Sequence, residues 1–233
     1  MPERAEADFD QYGDRYREAV EDSIAFCPAG LDFFTRVKAE TLLQLSERVG
    51  PPHGLAFVDI GCGTGETDQF LEGRVGSLAG ADVAARLLEQ ARRLNPWAEY
   101  RSYAEGEALP FADGSFDVCF AICVFHHVPR DLRPALVEEM ARICRPGGLI
   151  AIFEHNPLNP LTRRAVRGCE FDRDAELLTR RESSRLLSEA GLPAPSGRYI
   201  EFFPSERPLL QRIERRLAWI PLGAQYAVFA RRP

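Results

Sequence analysis

The sequence predicts an α/β fold, and three observations predict it. Residues 55–60 are a short apolar run with the β-branched content of a buried strand, and the run breaks at once into three glycines at alternate positions, Gly61, Gly63 and Gly65. A second apolar segment, Leu78-Ala79-Gly80-Ala81, ends on an acidic residue, Asp82. Beyond it, helix-like and strand-like stretches alternate as far as the apolar run 149–153.

The glycine loop carries the first chemical information. Alternating glycines let the backbone turn sharply and let a ligand lie against it without a Cβ in the way. The following Glu66-Thr67-Asp68-Gln69-Phe70-Leu71 reads as the start of a helix whose first amides would face that ligand. Asp82 is placed to accept hydrogen bonds from a ribose diol. Dinucleotide sites usually space their glycines G-x-G-x-x-G. Here the spacing is G-x-G-x-G, led by Asp59 inside the strand.

That stretch, Val58-Asp59-Ile60-Gly61-Cys62-Gly63-Thr64-Gly65, resembles the first motif of class I S-adenosylmethionine-dependent methyltransferases. Within that class the likeness is to small-molecule enzymes, those of ubiquinone and menaquinone biosynthesis and natural-product O-methyltransferases. The resemblance implies a Rossmann-like, seven-stranded, mostly parallel sheet with helices on both faces and extra N-terminal helices, and S-adenosylmethionine as cofactor. Asp59, Gly61, Gly63, Gly65, Asp82 and Val83 would then line the cofactor.

Bulk properties narrow the class. A chain of 233 residues, 45% hydrophobic and 27% charged, suits one soluble α/β domain with a large core. A net charge of −6 argues against nucleic acid as the main partner. There is no apolar run of membrane-spanning length, and the start, Met1-Pro2-Glu3-Arg4-Ala5-Glu6, has no signal-peptide core, so a cytoplasmic location is expected. The six cysteines form no C-x-x-C pair and no metal-type cluster, so reduced, packed thiols and no metal are expected. Lys38 is the only lysine.

Taken in order, residues 8–20 read as an amphipathic helix with Phe9, Tyr12, Tyr16 and Val20 on one face. The stripe either packs this helix on the body or, as related enzymes imply, brings Tyr12 and Tyr16 over the cofactor. A stronger helix spans 33–49, and Gly50-Pro51-Pro52-His53-Gly54 ends it. Residues 84–94 are a helix stopped by Asn95-Pro96, and 98–103 a strand. Ala104-Glu105-Gly106-Glu107-Ala108-Leu109-Pro110-Phe111 and the turn Ala112-Asp113-Gly114-Ser115 lead into a strand over 116–122. This block resembles the family's second specific motif, with Ala104 and Glu105 standing where glycine and aspartate are usual. By position Glu105 would accept the adenine amino group and the Gly106 amide would donate to a ring nitrogen. Ala121 falls at the strand end where the family places the methionine part of the cofactor.

Residues 131–144 form an amphipathic helix, and Arg145-Pro146-Gly147-Gly148 is a tight turn before the strand 149–153. The same turn is familiar in the family. Glu154-His155-Asn156-Pro157-Leu158-Asn159-Pro160 reads as a loop leaving the sheet edge where such folds bind ligands. Arg163, Arg164 and Arg167 fall on a short helix, and Thr179-Arg180-Arg181-Glu182 has capping-box spacing. Strands over 198–203 and 225–230 would close the sheet as an antiparallel pair. Residues 209–220 are amphipathic with arginines on the polar side, for packing on the sheet or for a lipid surface. The whole reads as one domain: a helical cap over 1–54, a cofactor core over 55–154 and a substrate side over 155–233.

Methyl transfer is an in-line attack on a sulfonium, so the protein mainly aligns the partners. A hydroxyl acceptor must also lose a proton, and histidine is the fitting base. Of four histidines, His53 lies at the wrong end of the sheet. His126, His127 and His155 lie on loops leaving neighbouring strands and are the candidates, His126 first, with Glu154 as an orienting carboxylate for His155. Arg163 and Arg167, with Asn156, are candidates for an acceptor that carries an anionic group, or else a solvated helix face. The reading is methyl transfer from S-adenosylmethionine to a small molecule, first to oxygen. Alternatives are a lipid-linked or quinone-like acceptor and a catalytically silent cofactor-binding regulator; a nicotinamide dehydrogenase is disfavoured by the glycine spacing.

Overall fold

A computed structural model describes residues 16–27, 29–172, 174–205 and 207–233. Seven strands form one sheet in the order β3-β2-β1-β4-β5-β7-β6: β1 Ala56–Ile60, β2 Ser77–Asp82, β3 Glu99–Ser102, β4 Phe116–Ile122, β5 Cys144–His155, β6 Ser196–Ile200 and β7 Gln225–Arg231. The first five run parallel, and β7 is antiparallel to both β5 and β6. The expected seven-stranded sheet with a closing antiparallel pair is present.

Alternation along the strands gives the sheet two apolar faces. Val58, Ile60, Cys119, Ala121, Ile150 and Ile152 point to one face. Helix α4, Arg133–Ile143, covers it through Val137, Met140 and Ile143, and α6, Arg180–Glu189, through Leu187. Phe57, Val118, Phe120, Leu149, Ala151 and Phe153 point the other way, against Leu42, Leu43 and Leu45 of α2, Gly30–Ser46. Helix α3, Ala85–Leu94, packs Leu88 and Ala91 on Tyr100. The remaining helices are α1, Tyr16–Ser23, α5, Pro160–Gly168, and α7, Pro208–Leu217. Thr179 and Glu182 close the expected capping box at the start of α6.

Three local expectations are corrected. The stretch after the glycine loop is no α-helix but a single 3-10 turn, Asp68–Leu71. At about 1.5 Å per residue, an α-helix over 66–76 would leave little chain for the turns at its ends, whereas a short turn with extended flanks reaches β2. The Arg145-Pro146-Gly147-Gly148 segment belongs to β5 as a bulge: Phe116 pairs with Cys144, and pairing resumes at Val118 and Leu149. Strand β6 stops at Ile200 because Glu201 takes a left-handed φ of 62°, which turns Phe202 and Phe203 out of the ladder. Helix α7 leaves Leu209 exposed at 69%, and Trp219 just beyond it at 75%, so its apolar side is only partly packed.

Tyr12 lies outside the described residues, as does the side chain of Tyr16, whose backbone opens α1. All six cysteines are free. Among the described residues no helix is long and apolar enough to cross a membrane.

Candidate active site

The strand order reverses between β1 and β4, and ligands of open α/β sheets bind beyond the strand ends at such a point. A cavity of about 370 Å³ opens there. Gly61, Gly63, Asp82, Val83, Glu105 and Gly106 line one side of it. Gly63, at φ 52°, is open to it: a Cβ added there would meet no protein atom within 4 Å and would stand in the ligand space.

Asp82 fixes this loop. Its Oδ2 accepts the Gly63 amide at 2.8 Å, and its Oδ1 accepts the Ala84 amide at 2.8 Å. Gly65 serves the scaffold instead of the cavity: its carbonyl takes Asn95 Nδ2 at 2.9 Å, and a Cβ would lie 2.5 Å from that nitrogen. Beneath the loop, burial raises the Asp59 pKa, and Asp68 and Asp82 raise it further. Burial lifts Asp68 to about 6, against the Tyr100 hydroxyl that donates to its Oδ2 at 2.7 Å. Thr64 Oγ1 is buried without a hydrogen-bond partner among the described residues, and the Asp59 carboxyl is paired with that of Asp68. An open glycine backbone and a clamped carboxylate suit a polar cofactor with a nucleoside part. Ala121 is wholly buried in the core, and Ile122 and Cys123 form the wall in its place.

The opposite side holds the three histidines. Glu154, fully buried at the end of β5, accepts the Phe125 amide on Oε1 at 2.7 Å and meets His126 Nδ1 with Oε2 at 2.6 Å. His126 Nε2 faces Asp172 Oδ1 at 3.4 Å, and His127 Nε2 faces the same oxygen at 3.3 Å. The rings of His127 and His155 lie 4.1 and 5.1 Å from that of His126, centre to centre. Burial works against a charge on His126, but the Glu154 and Asp172 carboxylates outweigh it and lift its pKa to about 10. Burial and the His126 charge lower His127, and the same two causes take His155 down to about 4. Glu154 and Asp172 are held below the usual carboxylate range by the histidines, despite their burial.

His126 is therefore corrected as first candidate for the base, because both its ring nitrogens already face carboxylates. Glu154 orients His126 and not His155. Asn156 is corrected too: 1% exposed, it donates Nδ2 to the carbonyls of Gly223 and Pro221 at 2.8 and 3.2 Å, and its Oδ1 accepts the Leu158 amide. Arg163 and Arg167 stand on the exposed face of α5, whereas Thr162, Ala165 and Val166 face the cavity. The anionic-acceptor reading thus loses its three named contacts.

The sequence reading missed Lys38, Asp172 and Glu201, all cavity-lining. Lys38 and Glu201 are buried, and both Glu201 carboxylate oxygens lack partners among the described residues. Burial lifts Glu201 to about 8, opposed by Lys38 and assisted by Glu214, so it offers the cavity an O–H near neutral pH. The lone lysine was the one available signal.

Residues 58–152 match a family model described as "Methyltransferase domain". Those residues are a class I methyltransferase domain. The cofactor of such a domain is S-adenosylmethionine, and the cradle above suits it. The chain is 32% identical over 156 residues to the methyltransferase GfsG of Streptomyces halstedii, covering 63% of this chain and 55% of that protein. It is 33% identical over 133 residues to a demethylmenaquinone methyltransferase of Desulfitobacterium hafniense, covering 54% and 49%. The chain thus spans about half the length of these relatives. A solved S-adenosylmethionine-dependent methyltransferase from Thermotoga maritima superposes with a TM-score of 0.68 at 19% identity, covering 98% of this chain and 99% of that one, a likeness of fold.

Proposed function

We propose that the chain transfers the methyl group of S-adenosylmethionine to an oxygen of a small, mostly apolar acceptor, with His155 receiving the acceptor's proton. The observation that carries this reading is that the glycine cradle and the histidine rim are walls of one cavity. The cofactor supplies an electrophilic methyl group; the chain supplies alignment and a place for a proton. Asp82, whose oxygens accept the Gly63 and Ala84 amides, is the candidate to meet a ribose diol. Glu105 and Gly106, on the same cavity wall, are the candidates for contact with the adenine.

His155 is the base by geometry, kept neutral by burial and the His126 charge, which lower its pKa to about 4. Its Nδ1 lies 3.4 Å from the Gln225 amide, and its Nε2 has no partner among the described residues. The Gln225 amide fits either way round. With its otherwise unpartnered Oε1 on Nδ1, it takes that proton and leaves Nε2 as the basic nitrogen. Ile24, Phe34, Leu161, Val166, Phe171 and Phe202 line the acceptor end. That apolar wall favours a quinone-like or lipid-linked acceptor as the second reading, in keeping with the demethylmenaquinone methyltransferase among the relatives. The helices before residue 55 and the segment after 154 form the acceptor side in this reading. A cytoplasmic setting accords with six free cysteines.

Calorimetry with S-adenosylmethionine, followed by mass spectrometry of phenol and hydroquinone acceptors incubated with deuteromethyl cofactor, tests the proposal. His155→Ala should lower kcat about a hundredfold or more while cofactor affinity stays within a few-fold. Unchanged kcat removes His155 as the base. Cofactor binding without any methylated product points to a silent regulator.

A further inference from the structure

Two carboxylates, the buried Glu154 and the half-buried Asp172, meet at the histidine rim, and among the described residues their ion pairs go to histidines alone. Among the described residues no arginine or lysine pairs with either carboxylate. The contacts are also long for hydrogen bonds: 3.4 Å from His126 Nε2 and 3.3 Å from His127 Nε2 to Asp172 Oδ1, against roughly 2.7–2.9 Å for a good charged pair. They are the right length for something else. Four donors held tetrahedrally at about 2.0–2.1 Å from one ion stand about 3.3–3.4 Å apart.

We propose that His126 Nε2, His127 Nε2 and Asp172 Oδ1 form a binding site for a divalent first-row transition-metal ion. The three donor atoms all lie within 4.8 Å of one another. Glu154 is the positioning residue: its Oε2, 2.6 Å from His126 Nδ1, fixes the proton there and turns the Nε2 lone pair toward Asp172. A carboxylate behind a ligating histidine is the usual companion of such sites. Two neutral imidazoles and one carboxylate suit a borderline cation such as zinc and leave one position open. All three residues line the cavity beside His155, so the open position faces the acceptor space. That the acceptor's oxygen occupies it rests on the function proposed above; ion binding itself does not.

The test uses the full chain, stripped with a chelator and then titrated with zinc and, separately, with cobalt(II), whose visible absorption reports the donor set. Metal content is measured by mass spectrometry. The expected result is one ion per chain, at least a hundredfold weaker binding in His127→Gln and Asp172→Asn, and a 10–100-fold loss in Glu154→Gln. His127 is the safest of these positions, since its side chain is 24% exposed; circular dichroism verifies that each variant folds. Asp59→Asn, on the cofactor side, should bind the ion as the parent does. No stoichiometric ion, or equal affinity in folded His127→Gln and Asp172→Asn, overturns the proposal and leaves His126 a buried ion pair. Calorimetry with S-adenosylmethionine on the same samples separates the two readings: an ion bound without cofactor sinks the proposed function and keeps the metal site.

Discussion

Glu154 is joined to His126 and not to its chain neighbour His155: its Oε2 lies 2.6 Å from His126 Nδ1. Successive side chains of a strand point to opposite faces, so Glu154 and His155 are separated by the backbone they share. Glu154 reaches across to the loop after β4, where its other oxygen holds the Phe125 amide. This one carboxylate therefore fixes both the backbone and the imidazole of that loop.

Removing it should cost stability. In metal-free protein, Glu154→Ala leaves the Phe125 amide unpaired and His126 with one carboxylate fewer in a buried site. Breaking such a pair typically costs about 3–5 kcal/mol. Urea denaturation of the variant and its parent measures the difference, and a loss below about 1 kcal/mol would show the pair to be dispensable.

The glycine loop allows a sharper comparison. Gly63 and Gly65 share a left-handed φ, yet a Cβ on Gly63 meets nothing while one on Gly65 meets Asn95 Nδ2 at 2.5 Å and the Tyr100 hydroxyl at 3.0 Å. Gly63→Ala should therefore cost only the backbone strain, about 1–2 kcal/mol, and lower S-adenosylmethionine affinity at least about tenfold by filling the cradle. Gly65→Ala should be the less stable of the two on thermal melting. Equal melting temperatures, with cofactor affinity intact in Gly63→Ala, would contradict both assignments.

What the sequence made legible was local. The strand, the glycine turn and Asp82 follow from neighbouring residues, and so does the capping box of Thr179 and Glu182. The helical phase of α5 was not local: only the finished sheet decides that Thr162, Ala165 and Val166 face inward and Arg163 and Arg167 outward. The histidines were visible as a group on one rim, but their roles depend on Glu154, Asp172 and Gln225, which arrive from a strand, a turn after α5 and the last strand. Lys38 and Glu201 meet the same cavity from α2 and from the end of β6, and no spacing rule joins them.

Glu201 gives the pH dependence its clearest sign. Its carboxyl is buried without a partner while its own amide donates to Glu214 Oε1 at 2.6 Å, so water is replaced by little that favours a charge. Burial lifts its pKa from the usual carboxylate range to about 8, with Lys38 opposing and Glu214 assisting. Between the ordinary value of 4.5 and about 8, the folded chain holds a proton that the unfolded chain has lost. Stability from this group is thus complete below pH 4.5, drains at up to about 1.4 kcal/mol per pH unit, and is gone above about 8. Glu201→Gln keeps the shape and cannot ionise, so its stability should not drain through this group. Urea denaturation of both proteins at pH 5, 6.5 and 8 should show the variant gaining on the parent as the pH rises. Parallel pH curves would mean that Glu201 is solvated and ionised like an ordinary surface carboxylate.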